Sequence, residues 1–217
     1  MAQMPLTAAL AGIPAGLQSQ GVWSGRRQLF IRFAGEAETA TMYTADALVN
    51  ELKRALARSN FHSISISGRD PLGNVDYLRV ALKKADTGLP VMVDGDGQRP
   101  EEVAGLRDFV TLIQVTLEGP SAEATAERAY ATLKAAADAG LQHAMVLCVD
   151  ERTTDAHVLR FVERAHGASP SAMLVVHPAA GVAVDRDRRW TTLFERAAAL
   201  HGDVRLTLRL PPPTGMR

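Results

Sequence analysis

From Leu29 to the C-terminus, short β-branched and apolar runs alternate with Ala-, Leu- and charge-rich stretches of helical length. That is the βα rhythm of a parallel sheet. Strands are expected near residues 29–34, 62–67, 90–94, 109–115, 142–149, 172–177 and 204–208. Helical patterns fall between them near 45–59, 75–85, 101–106, 123–139, 155–166 and 187–200. Several boundaries carry their own chemistry: Asp155 suits a helix cap, Gly140 follows Ala139 as a stop, and Pro90 holds its predecessor extended. About six βα units are fewer than the eight of a closed barrel, and 217 residues fall short of the roughly 250 such a barrel takes. An open partial barrel or a doubly wound sheet remains. One domain over 1–217 is expected, with 1–24 as an irregular N-terminal segment and a proline-rich tail at 210–217 that cannot be helical past Pro211.

The composition is that of a globular chain, 47% hydrophobic and 22% charged. Lys plus Arg equals Asp plus Glu, 24 against 24. No bulk positive field is therefore available for nucleic acid or anionic lipid, and neither is expected as a partner. No run approaches the roughly 18 apolar residues of a membrane span. The opening segment also lacks the basic region of a secretory signal, so a cytoplasmic protein is expected. Cys148 is the one cysteine of the chain, which excludes an internal disulfide and a cysteine-only metal cage. Inside an apolar run with no basic neighbour it reads as a buried, inert thiol.

Parallel α/β folds build their sites where strands end and βα loops converge. The expected strand ends carry Glu36 and Glu38, then Gly68-Arg69-Asp70-Pro71, Asp94-Gly95-Asp96-Gly97, Glu118, Asp150-Glu151-Arg152 and His177. Such an acidic rim could hold a hard cation, and it is equally the composition of solvated turns and helix caps. No zinc spacing, nucleophile elbow, Walker loop or dinucleotide fingerprint occurs, and no catalytic or metal-ligating residue is assigned.

The order of several motifs is more specific. Gln18-Ser19-Gln20-Gly21, Gly25-Arg26 and Phe30-Ile31-Arg32-Phe33-Ala34-Gly35 resemble the opening of the 7-carboxy-7-deazaguanine synthases, members of the radical S-adenosylmethionine superfamily. That family reads Q-G-E-G, G-x-P and F-I-R-x-x-G. Phe61 to Leu72 is similar to its next strand with T-G-G-E-P-L, and Asp94-Gly95-Asp96-Gly97 to its E-T-N-G turn. The resemblance continues to the closing strand from Asp203 and the tail at Arg217, and it implies a partial barrel of parallel strands.

In that family a [4Fe-4S] cluster sits on three loop cysteines directly after F-I-R-x-x-G, and its fourth site binds S-adenosylmethionine. Here the stretch from Glu36 to Thr44 contains no cysteine, and a cluster needs thiolates. Arg69 stands where the family keeps a small residue near the methionine moiety, which argues against S-adenosylmethionine binding. Tyr43-Thr44 echoes the family's C-D-T magnesium sequence without its acid. The resemblance implies a pseudoenzyme with no cluster, acting as a binding or regulatory protein. Its expected ligand contacts are Gln20, Arg32, Gly68, Arg69, Asp70, Asp94, Asp96 and His177. A homodimer, a related enzyme or a small molecule is the expected partner. The alternative is an enzyme of different chemistry, with Glu36, Asp70, Asp94, Asp96 and Glu118 aiding a cation or acting as acid and base. A third reading, a purely structural protein, expects the mouth plugged by Arg69 or the tail.

Overall fold

The computed structural model describes residues 6–118, 122–179, 182, 184 and 188–207. The proline-rich tail, expected at 210–217, lies outside them. Strand alternation sets the architecture. In Ser63-Ile64-Ser65-Ile66-Ser67, successive side chains point to opposite faces, so both isoleucines go to the helices and the serines to the opposite side.

The chain runs through β1 (Thr7–Gly12), β2 (Ala15–Leu17), β3 (Arg27–Phe33), β4 (Thr41–Thr44), α1 (Ala45–Arg58) and β5 (Ser63–Gly68). A 3-10 turn over Pro71–Asn74 leads into α2 (Val75–Ala85), β6 (Val91–Gly95) and a second 3-10 stretch, Pro100–Leu106. Then come β7 (Leu112–Leu117), α3 (Ala122–Asp138), β8 (Gln142–Val149), α4 (Asp155–Ala168), β9 (Met173–Pro178), α5 (Arg189–Leu200) and β10 (Val204–Leu206). Strand order is β10-β9-β8-β7-β6-β5-β3-β1-β4, with β2 also on β3. From β3 to β10 every pairing is parallel, whereas β1 and β2 pair β3, and β4 pairs β1, antiparallel. The expected open α/β sheet of mostly parallel strands is what forms.

Three expectations need correction. Residues 1–24 are not irregular throughout: Ala8 and Leu10 of β1 are buried in the main core, and β1 ties β3 to β4. The stretch at 101–106 is a 3-10 segment, not an α-helix, which its length of seven residues explains, since a longer run is needed to repay α-helix nucleation. Thr154, not Asp155, caps α4 by accepting from His157 N, and Asp155 instead pairs with Arg189 Nε at 2.7 Å.

Leu29, Ile31, Ile64, Ile66, Val93, Ile113 and Leu174 face the helices in one continuous core. On the concave face, Met92, Leu112 and Ala144 form a small cluster against Val22 and Trp23 of the loop after β2. The amino end of the half-barrel is therefore filled with apolar side chains, and its polar lining is displaced toward the carboxyl end.

Candidate functional site

Two adjoining hollows of about 370 and 340 Å³ open at the carboxyl ends of β3, β5, β6 and β7. They share Gln20, Ser67 and Asp94. Phe30, Arg32 and Ser65 line the first, and Asp96, Thr116 and Glu118 the second. One cleft with an aromatic wall and many hydrogen-bonding groups results.

The loop after β2 forms its roof. Gln114, buried on β7, accepts from Val22 N at 3.0 Å through Oε1. Gly21 passes directly over that amide with φ +83°, and a Cβ there would lie 2.1 Å from Gln114 Oε1. Only glycine accommodates both the backbone angle and the contact. Gly68 plays the same part at the end of β5: φ is +97°, and a Cβ would meet Phe33 O at 2.1 Å. This glycine lets β5 turn against the end of β3 and so shapes the mouth.

Asp94 is the distinctive group. It ends β6 facing the cleft, and Thr116 Oγ1 donates to its Oδ1 at 2.9 Å. Burial holds its pKa above the usual carboxylate value, although Thr116, Gln114 and Gln18 favour ionisation; Glu118 adds a further push upward. Charge is thus disfavoured where hydrogen bonding is well supplied.

Four of the other expected site residues, Arg32, Arg69, Asp70 and Asp96, are committed to ion pairs at the rim. Arg32 lines the cleft and pairs with Glu38 at 3.0 Å, while Glu38 also accepts from Gly35 N. Arg69 reaches Glu36 at 2.6 Å, Arg99 reaches Asp70 at 2.8 Å, and Arg128 reaches Asp96 at 2.6 Å. Asp70 also caps the turn at Pro71 by accepting from Gly73 N. Of the carboxylates expected to cluster, Asp94, Asp96 and Glu118 share a hollow, whereas Glu36 and Asp70 are drawn off to arginines. No set of three metal-binding side chains occurs among the described residues. Arg69 leans outward to Glu36 with about half its side chain exposed, so it does not plug the mouth.

His177 is buried on β9, its Nδ1 3.1 Å from Thr207 Oγ1, and it is not among the side chains lining the two hollows. Thr44, the echo of the magnesium sequence, caps α1 by accepting from Ala47 N at 3.1 Å. Cys148 is half-buried, not fully enclosed, and its thiol lies 3.9 Å from Gln20 Oε1. Sequence reasoning did not single out Gln18, Phe30, Ser65, Ser67 or Thr116. The signal was the period-two alternation of β5 and β7, which sends Ser65, Ser67 and Thr116 to the face carrying Asp94.

No family profile matches the chain. A curated 7-carboxy-7-deazaguanine synthase from Methanothermobacter thermautotrophicus is 27% identical over 124 residues, covering 49% of this chain and 49% of that protein. The chain thus spans about half the length of the relative it matches. Among solved structures, a radical SAM methyltransferase from Sphaerobacter thermophilus aligns with a TM-score of 0.58 at 15% identity, over 85% of this chain and 66% of that one. A type I 3-dehydroquinate dehydratase from Clostridium difficile aligns at 0.45 and 11%, too loosely to bear on the site. The likeness read from the motifs is therefore supported over half the sequence, and the framework is that of a radical SAM fold.

That framework implies an iron-sulfur cluster, and the residues present do not fit one. The loop between β3 and β4 offers Glu36 and Glu38, both held in ion pairs, where thiolates would be required. The one thiol of the chain lies on β8 facing Gln20.

Proposed function

We propose that the protein is a non-catalytic relative of the 7-carboxy-7-deazaguanine synthases that binds a small polar molecule in the cleft around Asp94 and acts by binding or regulation. The observation that carries this reading is the loop after β3, where glutamates paired to Arg32 and Arg69 stand in place of cluster thiolates. Ligand groups remain available without it: Phe30 offers an aromatic surface, and Ser65 and Ser67 offer hydroxyls.

Anaerobic reconstitution with iron and sulfide tests the reading. The expected result is no visible charge-transfer absorbance and no 5′-deoxyadenosine from S-adenosylmethionine; a stoichiometric cluster that releases the nucleoside overturns it. Thermal-shift measurements with purines, pterins, S-adenosylmethionine and divalent ions report on the binding half, because a ligand selective for the folded state raises Tm. A purine or pterin should give a shift that Ser67→Leu, which fills the cleft, abolishes.

One observation favours the alternative of an acid-base enzyme. A carboxyl kept protonated above its usual range in a polar cleft is suited to donate a proton. Turnover of a purine or pterin that disappears in Asp94→Asn would establish that reading instead.

A further inference from the structure

We propose a transition-metal site formed by His166 and His201 at the amino ends of β9 and β10, the end of the sheet opposite the cleft. His166 stands exposed on the last turn of α4, and His201 is buried as the C-cap of α5. The two helices pack against each other. The two Nδ1 atoms lie 3.1 Å apart, with the rings nearly perpendicular at 81°.

The backbone decides where the protons sit. His201 Nε2 lies 2.6 Å from Ala172 O. A carbonyl only accepts, so Nε2 carries the proton and Nδ1 of the neutral ring presents a lone pair to His166. A ring oriented by a backbone carbonyl on its far nitrogen is in the condition of a metal-ligating histidine. Without a metal, His166 fills the place by donating its Nδ1–H. With one, neutral His166 carries that proton on Nε2 instead, and both Nδ1 lone pairs go to the ion. Metal–nitrogen bonds of about 2.0–2.1 Å set two nitrogens about 2.9 Å apart at a right angle and about 3.4 Å apart at the tetrahedral angle. The spacing found falls between these values, and the exposed His166 ring is the member able to turn toward an ion.

Imidazole nitrogens select zinc, copper or nickel over magnesium or calcium. Among the described residues no three metal-binding side chains converge, so water completes the shell. Glu163 stands one turn before His166 on the same helix and adds negative potential beside it. Neighbouring donors are occupied: His143 uses both ring nitrogens, on Leu141 O and Ser169 Oγ, and Asp203 pairs with Arg205.

The test uses tag-free protein stripped of metal with EDTA and then freed of the chelator. Calorimetric titration should show one Zn²⁺ bound per chain and no binding of Mg²⁺, and saturating Zn²⁺ should raise Tm. Bound Cu²⁺ should show electron paramagnetic coupling to two nitrogens. His166→Gln, an exposed change, should weaken Zn²⁺ by about a hundredfold or more, because losing even an outer-shell partner of a ligand costs about 10–100-fold. It should also leave the copper signal with one nitrogen. His201→Gln should act in the same way, with circular dichroism to confirm its fold. Absence of stoichiometric Zn²⁺ binding, an unchanged affinity in His166→Gln, or a copper signal without two nitrogens would reduce the pair to an ordinary hydrogen bond and overturn the proposal. None of these outcomes depends on what the cleft binds, so the two readings are tested separately.

Discussion

At the scale of single residues, the mouth of the cleft depends on backbone contacts that tolerate no side chain. Gly68→Ala places a methyl 2.1 Å from Phe33 O at a φ of +97°. Both strain and overlap oppose it, and a loss of more than about 2 kcal/mol in urea unfolding is expected. An unchanged midpoint would show that β5 can leave β3 without cost. Asp94 yields a different kind of expectation. Its pKa is raised in the folded state by burial, so in the unfolded chain it ionises at lower pH than in the folded one. Its contribution to stability is full below the usual carboxylate range and is lost as pH rises through the folded-state value. Asp94→Asn cannot ionise, so its stability relative to the parent should improve as pH is raised from about 4 toward neutrality. Urea midpoints of the two proteins running parallel across that range would show that Asp94 titrates normally. Asp94 was legible as a strand-end acid, but its enclosure was not: that depends on Gln18 and Gln114, brought together from positions 96 residues apart.

At the scale of elements, local chemistry carried most of the reading. Residues 75–85 and 142–149 form α2 and β8 as the sequence implies, because apolar periodicity and boundary residues agree there. The antiparallel strands were hidden for identifiable reasons. β1, Thr-Ala-Ala-Leu-Ala-Gly, has little β-propensity of its own and is held by pairing with β3 and β4. β4, Thr-Met-Tyr-Thr, was masked by the resemblance, which makes this stretch the continuation of a cluster loop. Here Thr44 ends β4 and caps α1, joining that strand directly to the helix behind it. Thr44→Ala should cost about 1 kcal/mol through the unsatisfied Ala47 N–H. The loss should appear as faster amide exchange in the first turn of α1, and exchange that does not change there would assign the capping to another group.

At the scale of the molecule, the open sheet requires something to cover β3, and β1 and β2 do so on the side away from β5. The same segment continues into the loop whose Val22 and Trp23 close the amino end of the concave face and whose Gln18 and Gln20 roof the cleft. Stability and the shape of the cleft are therefore coupled through residues 6–26. Unpaired, β3 would present its N–H and C=O groups as an exposed edge, and Met92, Leu112 and Ala144 would lose their apolar cover. Removing residues 1–26 should thus abolish the cooperative thermal transition and leave an aggregating chain. Substituting Gln114→Ala should do less, loosening only the roof: proteolysis within 18–26 should become faster while the rest of the sheet melts cooperatively, with a loss of about 1–3 kcal/mol. If the shortened chain keeps the parent's Tm, the segment is an appendage to a sheet that is complete without it, and the cleft owes its shape to the parallel strands alone.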